Sequence, residues 1–294
     1  VDNTRGSIAM VLAMAAFSLE DMFIKAASST VPVGEILILF GLGGTLAFVV
    51  LTLKRGETIL SRAILSPAIL TRVVCEIAGR FGFTLAIALT PLSSASAILQ
   101  AAPLVVVAGA AVFFGERVGW SRWVAILIGF VGVLMIIRPG LESFEPASLF
   151  AVLGMLGFAG RDLATRAAPA ELSNMQLGVY GFFILIPTGL VMLTFSGGVV
   201  LPNFNSSLQI VAATLFGVVA YYLLTVAMRS GQVSVVTPFR YTRLVFALLL
   251  GAIVFSERPD AITLLGSVII VGSGVYTLLR NRRGFAVKAS KAAA

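Results

Sequence analysis

Two stretches of this 294-residue sequence place the same charged and aromatic residues at the same spacing. "AFSLEDMFIK", Ala16 to Lys25, sets Phe17, Asp21 and Lys25 four apart, and "GFAGRDLATR", Gly157 to Arg166, repeats the pattern with Phe158, Asp162 and Arg166. On a helix a spacing of four puts acid and base on adjacent turns, and an acid nearer the N-terminus is the better orientation for an ion pair. Asp21 with Lys25, and Asp162 with Arg166, are therefore expected to pair, either as structural ties near a helix end or as gates, one for each side.

Other charges stand inside apolar runs. Arg72, Glu76 and Arg80 recur at intervals of four and share one stripe, beside Gly79 and Gly82. Its alternatives are an internal Glu76–Arg80 bridge or a stripe that faces a cavity. In "PFRYTRL", Arg240 and Arg243 lie three apart on one face, with Tyr241 turned roughly 100° from Arg240. Four acids (Glu20, Asp21, Glu76, Asp162) stand against five arginines (Arg72, Arg80, Arg161, Arg240, Arg243). A charge near the middle of a membrane helix costs roughly 2.5–3.5 kcal/mol on insertion scales, so these groups must pair, reach water or meet a substrate. A guanidinium forms two parallel hydrogen bonds with a carboxylate, which makes Arg240 and Arg243 the candidate holders of a substrate carboxylate; pairing with Asp162 or Glu76 is the alternative.

The elements that carry these residues follow from composition. Hydrophobic residues make up 59% of the chain, charged residues 12%, and the mean hydropathy is +1.03, outside the soluble range. Apolar stretches of about 18 residues or more, each able to cross a hydrocarbon core of about 30 Å, recur from end to end. Ten are expected, over 6–27, 32–53, 67–89, 93–114, 120–137, 147–167, 174–195, 208–228, 234–255 and 261–279. Backbone in lipid must satisfy itself, so the spans are helices and the fold is all-α integral membrane. The first apolar run is too long for the core of a signal peptide and is expected to remain as a span.

With the N-terminus inside, the cytoplasmic segments collect thirteen Lys and Arg, from Arg5 and Lys54 to Lys288 and Lys291, whereas the outer segments hold three, Lys25, Arg138 and Arg258. This bias places both termini in the cytoplasm. It also accounts for the net charge of +8 without a nucleic-acid partner; the basic tail, 281–294, is expected to lie disordered near anionic headgroups. There are no histidines and one cysteine, Cys75, so a histidine-ligated metal site and an internal disulfide are excluded. No metal, cofactor or catalytic residue is expected.

The offset of 141 extends well beyond the opening stretches. Ala26 and Ala27 meet Ala167 and Ala168, Thr84 and Ala86 meet Thr225 and Ala227, Ser93 meets Ser234, and "FGER" (Phe114–Arg117) meets "FSER" (Phe255–Arg258). After a slip of about one residue, Gly132 falls on Gly274. The chain divides into two five-helix repeats, 1–140 and 141–280. Five is odd, so the second repeat enters the membrane from the opposite side, and the two are inverted about an axis in the membrane plane, an architecture that suits alternating access. By the same offset Arg80 and Phe81 become Tyr221 and Tyr222, and Gln100 matches Tyr241, so these positions are expected to line the interior.

The "FFGER" and "VFSER" helix endings, Pro103 thirteen residues before Glu116, the passage "TLAIALTPLSSASA" and a glycine-rich helix after each "ER" resemble the drug/metabolite transporter superfamily and its EamA-type members. The resemblance covers nearly the whole chain and is similar to the amino-acid exporters of that group. Leu244 stands where the second proline would fall, which moves the expected bend of the ninth span to Pro238. Phe17 and Phe158 replace the tryptophan common in the first helix of each half.

The resemblance implies a bacterial inner-membrane secondary transporter, with spans 1, 3, 4, 6, 8 and 9 around a central cavity and spans 5 and 10 outside them. The expected substrate is a small zwitterion, an amino acid and in particular an aromatic one, moved outward. Its carboxylate would meet arginine, its ammonium Asp or Glu, and its side chain Tyr221, Tyr222, Tyr241 and Phe158, with Arg80, Glu76 and Gln100 completing the lining. A drug or nucleotide-sugar transporter of the same fold is the alternative within the family; a channel or accessory subunit is the alternative outside it. An enzyme acting on lipids would need a nucleophile with its base, or a metal, and the sequence offers no such set.

Overall fold

A computed structural model describes residues 3–115, 119–138, 145–167, 169, 171–195, 198–230 and 237–292. The Glu116–Arg117 pair, Ser234 and the side chain of Arg166 lie outside the described residues. Among those described, the regular elements are helical: α1 (Asn3–Ala27), α2 (Val33–Lys54), α3 (Pro67–Leu89), α4 (Leu92–Leu99), α5 (Ala102–Phe114), α6 (Trp120–Ile137), α7 (Ser148–Arg166), α8 (Asn174–Phe183), α9 (Leu185–Leu193), α10 (Phe204–Ser230), α11 (Thr242–Phe255) and α12 (Ala261–Ala292). Short 3-10 turns precede α3 and α11, at Arg62–Leu65 and Thr237–Tyr241.

Six helical segments among the described residues are long and apolar enough to cross a membrane: Thr4–Ala27, Val33–Lys54, Leu92–Phe113, Ser148–Thr165, Asn174–Leu193 and Phe204–Leu224. α3 is as long as these but carries Arg72, Glu76 and Arg80, and α6 and α12 contain the shorter apolar stretches Trp123–Ile137 and Ala261–Tyr276. Large apolar side chains such as Leu46, Phe113 and Ile253 point outward, as a lipid solvent allows.

Three expected helices are not continuous. The run over 93–114 breaks at Gln100–Ala101, where α4 ends and α5 begins. Pro103 falls in the first turn of α5, where its missing N–H costs no helical bond. The run over 174–195 breaks at Ile184 because Pro187 cannot donate to the carbonyl of Phe183. The ninth run changes from 3-10 to α-helix at Tyr241, three residues beyond the expected bend at Pro238. At the other end, α12 continues through Ala292, so residues 281–292 of the tail expected to be disordered are helical; they contain no proline, and their Ala, Arg and Lys residues are good helix formers.

Small residues decide which helices meet. α3 crosses α7 so closely that a Cβ on Gly157 would lie 2.2 Å from the backbone nitrogen of Gly79. α6 and α12 meet at Gly132 and Gly266, where an added Cβ would come within 2.8 Å of the opposing carbonyl. α1 lies along α10, with Met10, Ala13, Met14 and Phe17 buried against Ala220 and Ala227. α11 and the turn before it also pack on α1, so α1, α3, α7 and the 237–243 segment converge.

Candidate functional site

The convergence brings the expected charges into one network. On α1, Glu20 is fully buried, and its Oε1 accepts from Nη1 of Arg80 on α3 at 2.7 Å. Asp21, 1% exposed, accepts from Nη2 of Arg243 on α11 at 2.7 Å. Arg80 continues to Glu76 at 3.8 Å, and Glu76 is also approached by Arg72 at 3.9 Å and by Arg161 of α7 at 3.4 Å. Arg161 donates through Nε and Nη2 to Oδ1 of Asp162, at 3.1 and 2.9 Å. Arg240 completes the chain, its Nη1 3.4 Å from Oδ2 of Asp162. The four acids and five arginines counted in the sequence thus meet in one place.

Aromatic faces line the guanidinium groups. Arg161 lies over Phe158 at 4.8 Å, Arg243 over Phe17 at 4.9 Å and Phe83 at 5.4 Å, and Arg80 over Phe40 and Phe158 at 5.5 and 5.8 Å. The phenylalanines standing where the family often has tryptophan therefore serve as cation–π partners. Tyr221 is edge-on to Phe48 and Phe182 and near Arg72 and Glu76.

Exposure grades the network. The side chains of Asp21 and Glu20 are 2% and 0% exposed, whereas those of Asp162 and Arg240 are 25% and 26% exposed and that of Arg161 is 19%. Arg161 through Arg240 is the open end; Glu20, Asp21 and Arg243 form the sealed end.

Several expectations are corrected. Asp21 does not pair with Lys25. Lys25 donates to the carbonyls of Ile87 and Thr90 at 3.0 and 2.6 Å and lies 3.9 Å from Glu257. An i, i+4 tie offers little, whereas the unpaired carbonyls at the end of α3 give an ammonium several acceptors at once. Asp162 contacts Arg161 and Arg240; its expected pairing with Arg166 involves a side chain outside the described residues. Arg243 is held by Asp21 rather than by Asp162 or Glu76. Tyr222 is 41% exposed and turned outward, away from the network. Tyr241 is 5% exposed, but its hydroxyl abuts Gly274 on α12 instead of joining the charges. Gln100 does reach the centre, where its Nε2 donates to the carbonyl of Arg240 at 3.1 Å.

Arg161 was not among the residues expected to line the site. Its signal was present: a second cation next to an acid, inside an apolar run, at the position where the first repeat has Glu20. Glu257, read as a helix ending, is also more than that. Its carboxylate accepts from the backbone nitrogens of Leu92 and Ser93 at 2.7 and 3.0 Å and from Ser93 Oγ at 2.7 Å, capping α4 from the loop between α11 and α12.

Comparison with known proteins fits this chemistry. The model of the EamA-like transporter family matches twice, over residues 4–138 and 146–279. A pseudopaline exporter of Pseudomonas aeruginosa (strain PAO1) is 30% identical over 95% of this chain and 97% of its own length. An S-adenosylmethionine uptake transporter of Rickettsia felis is 26% identical, with 71% of each chain covered. A riboflavin transporter of Rhizobium johnstonii is 29% identical over 72% of this chain and 70% of its own. A crystal structure aligns with 93% of this chain and 98% of its own at a TM-score of 0.62 and 20% identity, a likeness of fold. With both halves matched by one family model and its relatives acting as small-molecule transporters, the chain belongs to the EamA-like transporter family and is a membrane transporter, not an enzyme.

Proposed function

We propose that this chain is a secondary transporter of the bacterial inner membrane that exports a small zwitterion of the amino-acid class. Ten spans form two inverted five-helix repeats, 1–140 and 141–280, with a basic tail, 281–294, and both termini in the cytoplasm. The central network is the substrate site, reached from each face in turn as the repeats exchange conformations.

The observation that carries this reading is the graded network itself. Five arginines against four carboxylates leave one positive charge in excess, and the open end presents Arg161 and Arg240 with Phe158 beside them. An amino acid supplies a carboxylate for Arg240, whose own contact to Asp162 is long, and an apolar side chain for an aromatic wall. Arg243, buried against Asp21, belongs to the scaffold in this reading, and Arg240 is the substrate residue of the two. Counterflow of a labelled amino-acid panel in proteoliposomes tests it: saturable exchange of one or more amino acids is expected, and flux that does not saturate would point to a channel.

A second reading has support from relatives named for S-adenosylmethionine uptake. The Rickettsia felis protein is named for S-adenosylmethionine, which carries the same amine and carboxylate on a larger body. Competition by S-adenosylmethionine in the counterflow assay separates a large from a small zwitterion.

A further inference from the structure

The open end of the network already contains a carboxylate in the position that a substrate carboxylate would take. Asp162 receives two N–H groups of Arg161 on Oδ1 and faces Arg240 with Oδ2, so both oxygens point at guanidinium groups. Its bond to Arg240, at 3.4 Å, is longer than the roughly 2.7–2.9 Å of a charge-assisted hydrogen bond. The sealed counterpart between Asp21 and Arg243 is 2.7 Å. Arg240 is thus in reach of a carboxylate without being fully engaged by it, and it is the more exposed of the two arginines.

We propose that Asp162 is a resident stand-in for the substrate carboxylate, and that this makes it the residue restricting the site to zwitterions. The inference rests on the reading of the network as the substrate site. A carboxylate that enters between Arg161 and Arg240 competes with Asp162 for the same donors. The displaced aspartate is then a partly buried anion beside another anion, which is unfavourable unless the incoming molecule brings a cation to it. An amino acid does so through its ammonium group, and a simple carboxylate does not. The neighbouring groups cannot substitute for Asp162, because Glu76 is already approached by Arg72, Arg80 and Arg161, and Phe158 is neutral.

The test uses the full-length protein reconstituted in proteoliposomes, with the best-transported amino acid of the panel, its N-acetyl derivative and its carboxamide as competitors. Wild type should be inhibited by the amino acid and at least about tenfold more weakly by either derivative. Asp162→Asn should close that gap for the N-acetyl derivative, which keeps the carboxylate, and leave the carboxamide weak. Asp162→Glu should retain the wild-type preference. Should Asp162→Asn fail to give monodisperse protein, Asp162→Ser supplies the same reading. An unchanged preference in the neutral variants, with amino-acid exchange intact in wild type, overturns the role of Asp162 and leaves the proposed function standing. If wild type exchanges no amino acid, the function and the inference fall together.

Discussion

Asp21 and Asp162 occupy equivalent places 141 residues apart, yet the fold treats them differently. Asp21 is buried on α1, bonded to Arg243 at 2.7 Å and walled by Phe17 and Phe83, which both lie against that guanidinium. Asp162 is a quarter exposed on α7 and shared between its own neighbour Arg161 and a distant Arg240. Both arginines that cross to these aspartates, Arg240 and Arg243, come from one short segment; the offset puts Leu99 and Ala102 at the corresponding places of the first repeat. The motif that recurs at the offset of 141 thus has one sealed copy and one open copy, and the distant cations that reach both aspartates lie in the single stretch 240–243.

The largest effect expected from this contrast is on the sealed side. Arg243→Gln leaves Asp21 as an uncompensated buried charge, a loss of about 3–5 kcal/mol that should appear as a much lower melting temperature in detergent and a poor membrane yield. A variant that melts like wild type would erase the distinction between scaffold and open copy.

The seams that hold the two aspartate helices differ too, and here a smaller loss is expected. Gly157 of α7 touches the backbone of α3, whereas its counterpart on α1 is Ala16. Gly157→Ala copies the first repeat into the second but drives a methyl group into Gly79 and the carbonyl of Cys75. A destabilisation of about 1–3 kcal/mol should follow. Thermal melting checks it, and a neutral substitution would mean that the α3–α7 crossing is loose.

On the open side, Arg240→Gln should cost less than about 1 kcal/mol, since both partners are partly solvated and the contact is long. Amino-acid exchange should nevertheless be lost. The combination of normal melting and absent transport, set beside early melting of Arg243→Gln, sharpens the comparison; the reverse pattern means that scaffold and site have been exchanged.

The smallest effect concerns the helices that follow each "ER". α6 starts after Gly119 without a side-chain cap, but α12 is capped by Asp260, whose Oδ1 accepts from the nitrogen of Thr263 at 2.9 Å and whose other oxygen receives Arg138. These bonds, that from Arg138 foremost, hold the Asp260 carboxyl below the usual carboxylate range. A lowered folded-state value means that this contribution is present above about pH 4, the ordinary aspartate range, and is lost as pH falls further. Asp260→Asn should therefore melt slightly below wild type at pH 7 and converge with it in acid; a constant difference across pH would remove the ionic part of the cap.

The helices were legible where apolarity and proline speak locally. The span expected over 67–89 coincides with α3, and that over 32–53 differs from α2 by one residue at each end. The arginines and acids that meet were also recognisable, since a charge in an apolar run has few options. What the sequence did not reveal was the choice of partner. Spacing of four suggested Asp21 with Lys25, but the contact between Asp21 and Arg243 joins residues 222 apart, and only the crossing of α1 with α11 makes it. The outward turn of Tyr222 was hidden for a similar reason, because one residue along α10 rotates a side chain by roughly 100° and separates it from the buried neighbourhood of Tyr221.

Two of the three interrupted helices are tied to each other, and the tie has a mechanical consequence. Gln100 stands at the break between α4 and α5, and its side chain holds the carbonyl of Arg240 at the break before α11. The breaks fall in the same register although Pro103 accompanies only one of them. Two elbows in separate lengths of chain are therefore pinned together, and the pin is attached to the backbone of the arginine that faces the open end. A tilt of α4 therefore pulls first on the backbone of Arg240, so one hydrogen bond couples the two elbows and the guanidinium that faces the open end.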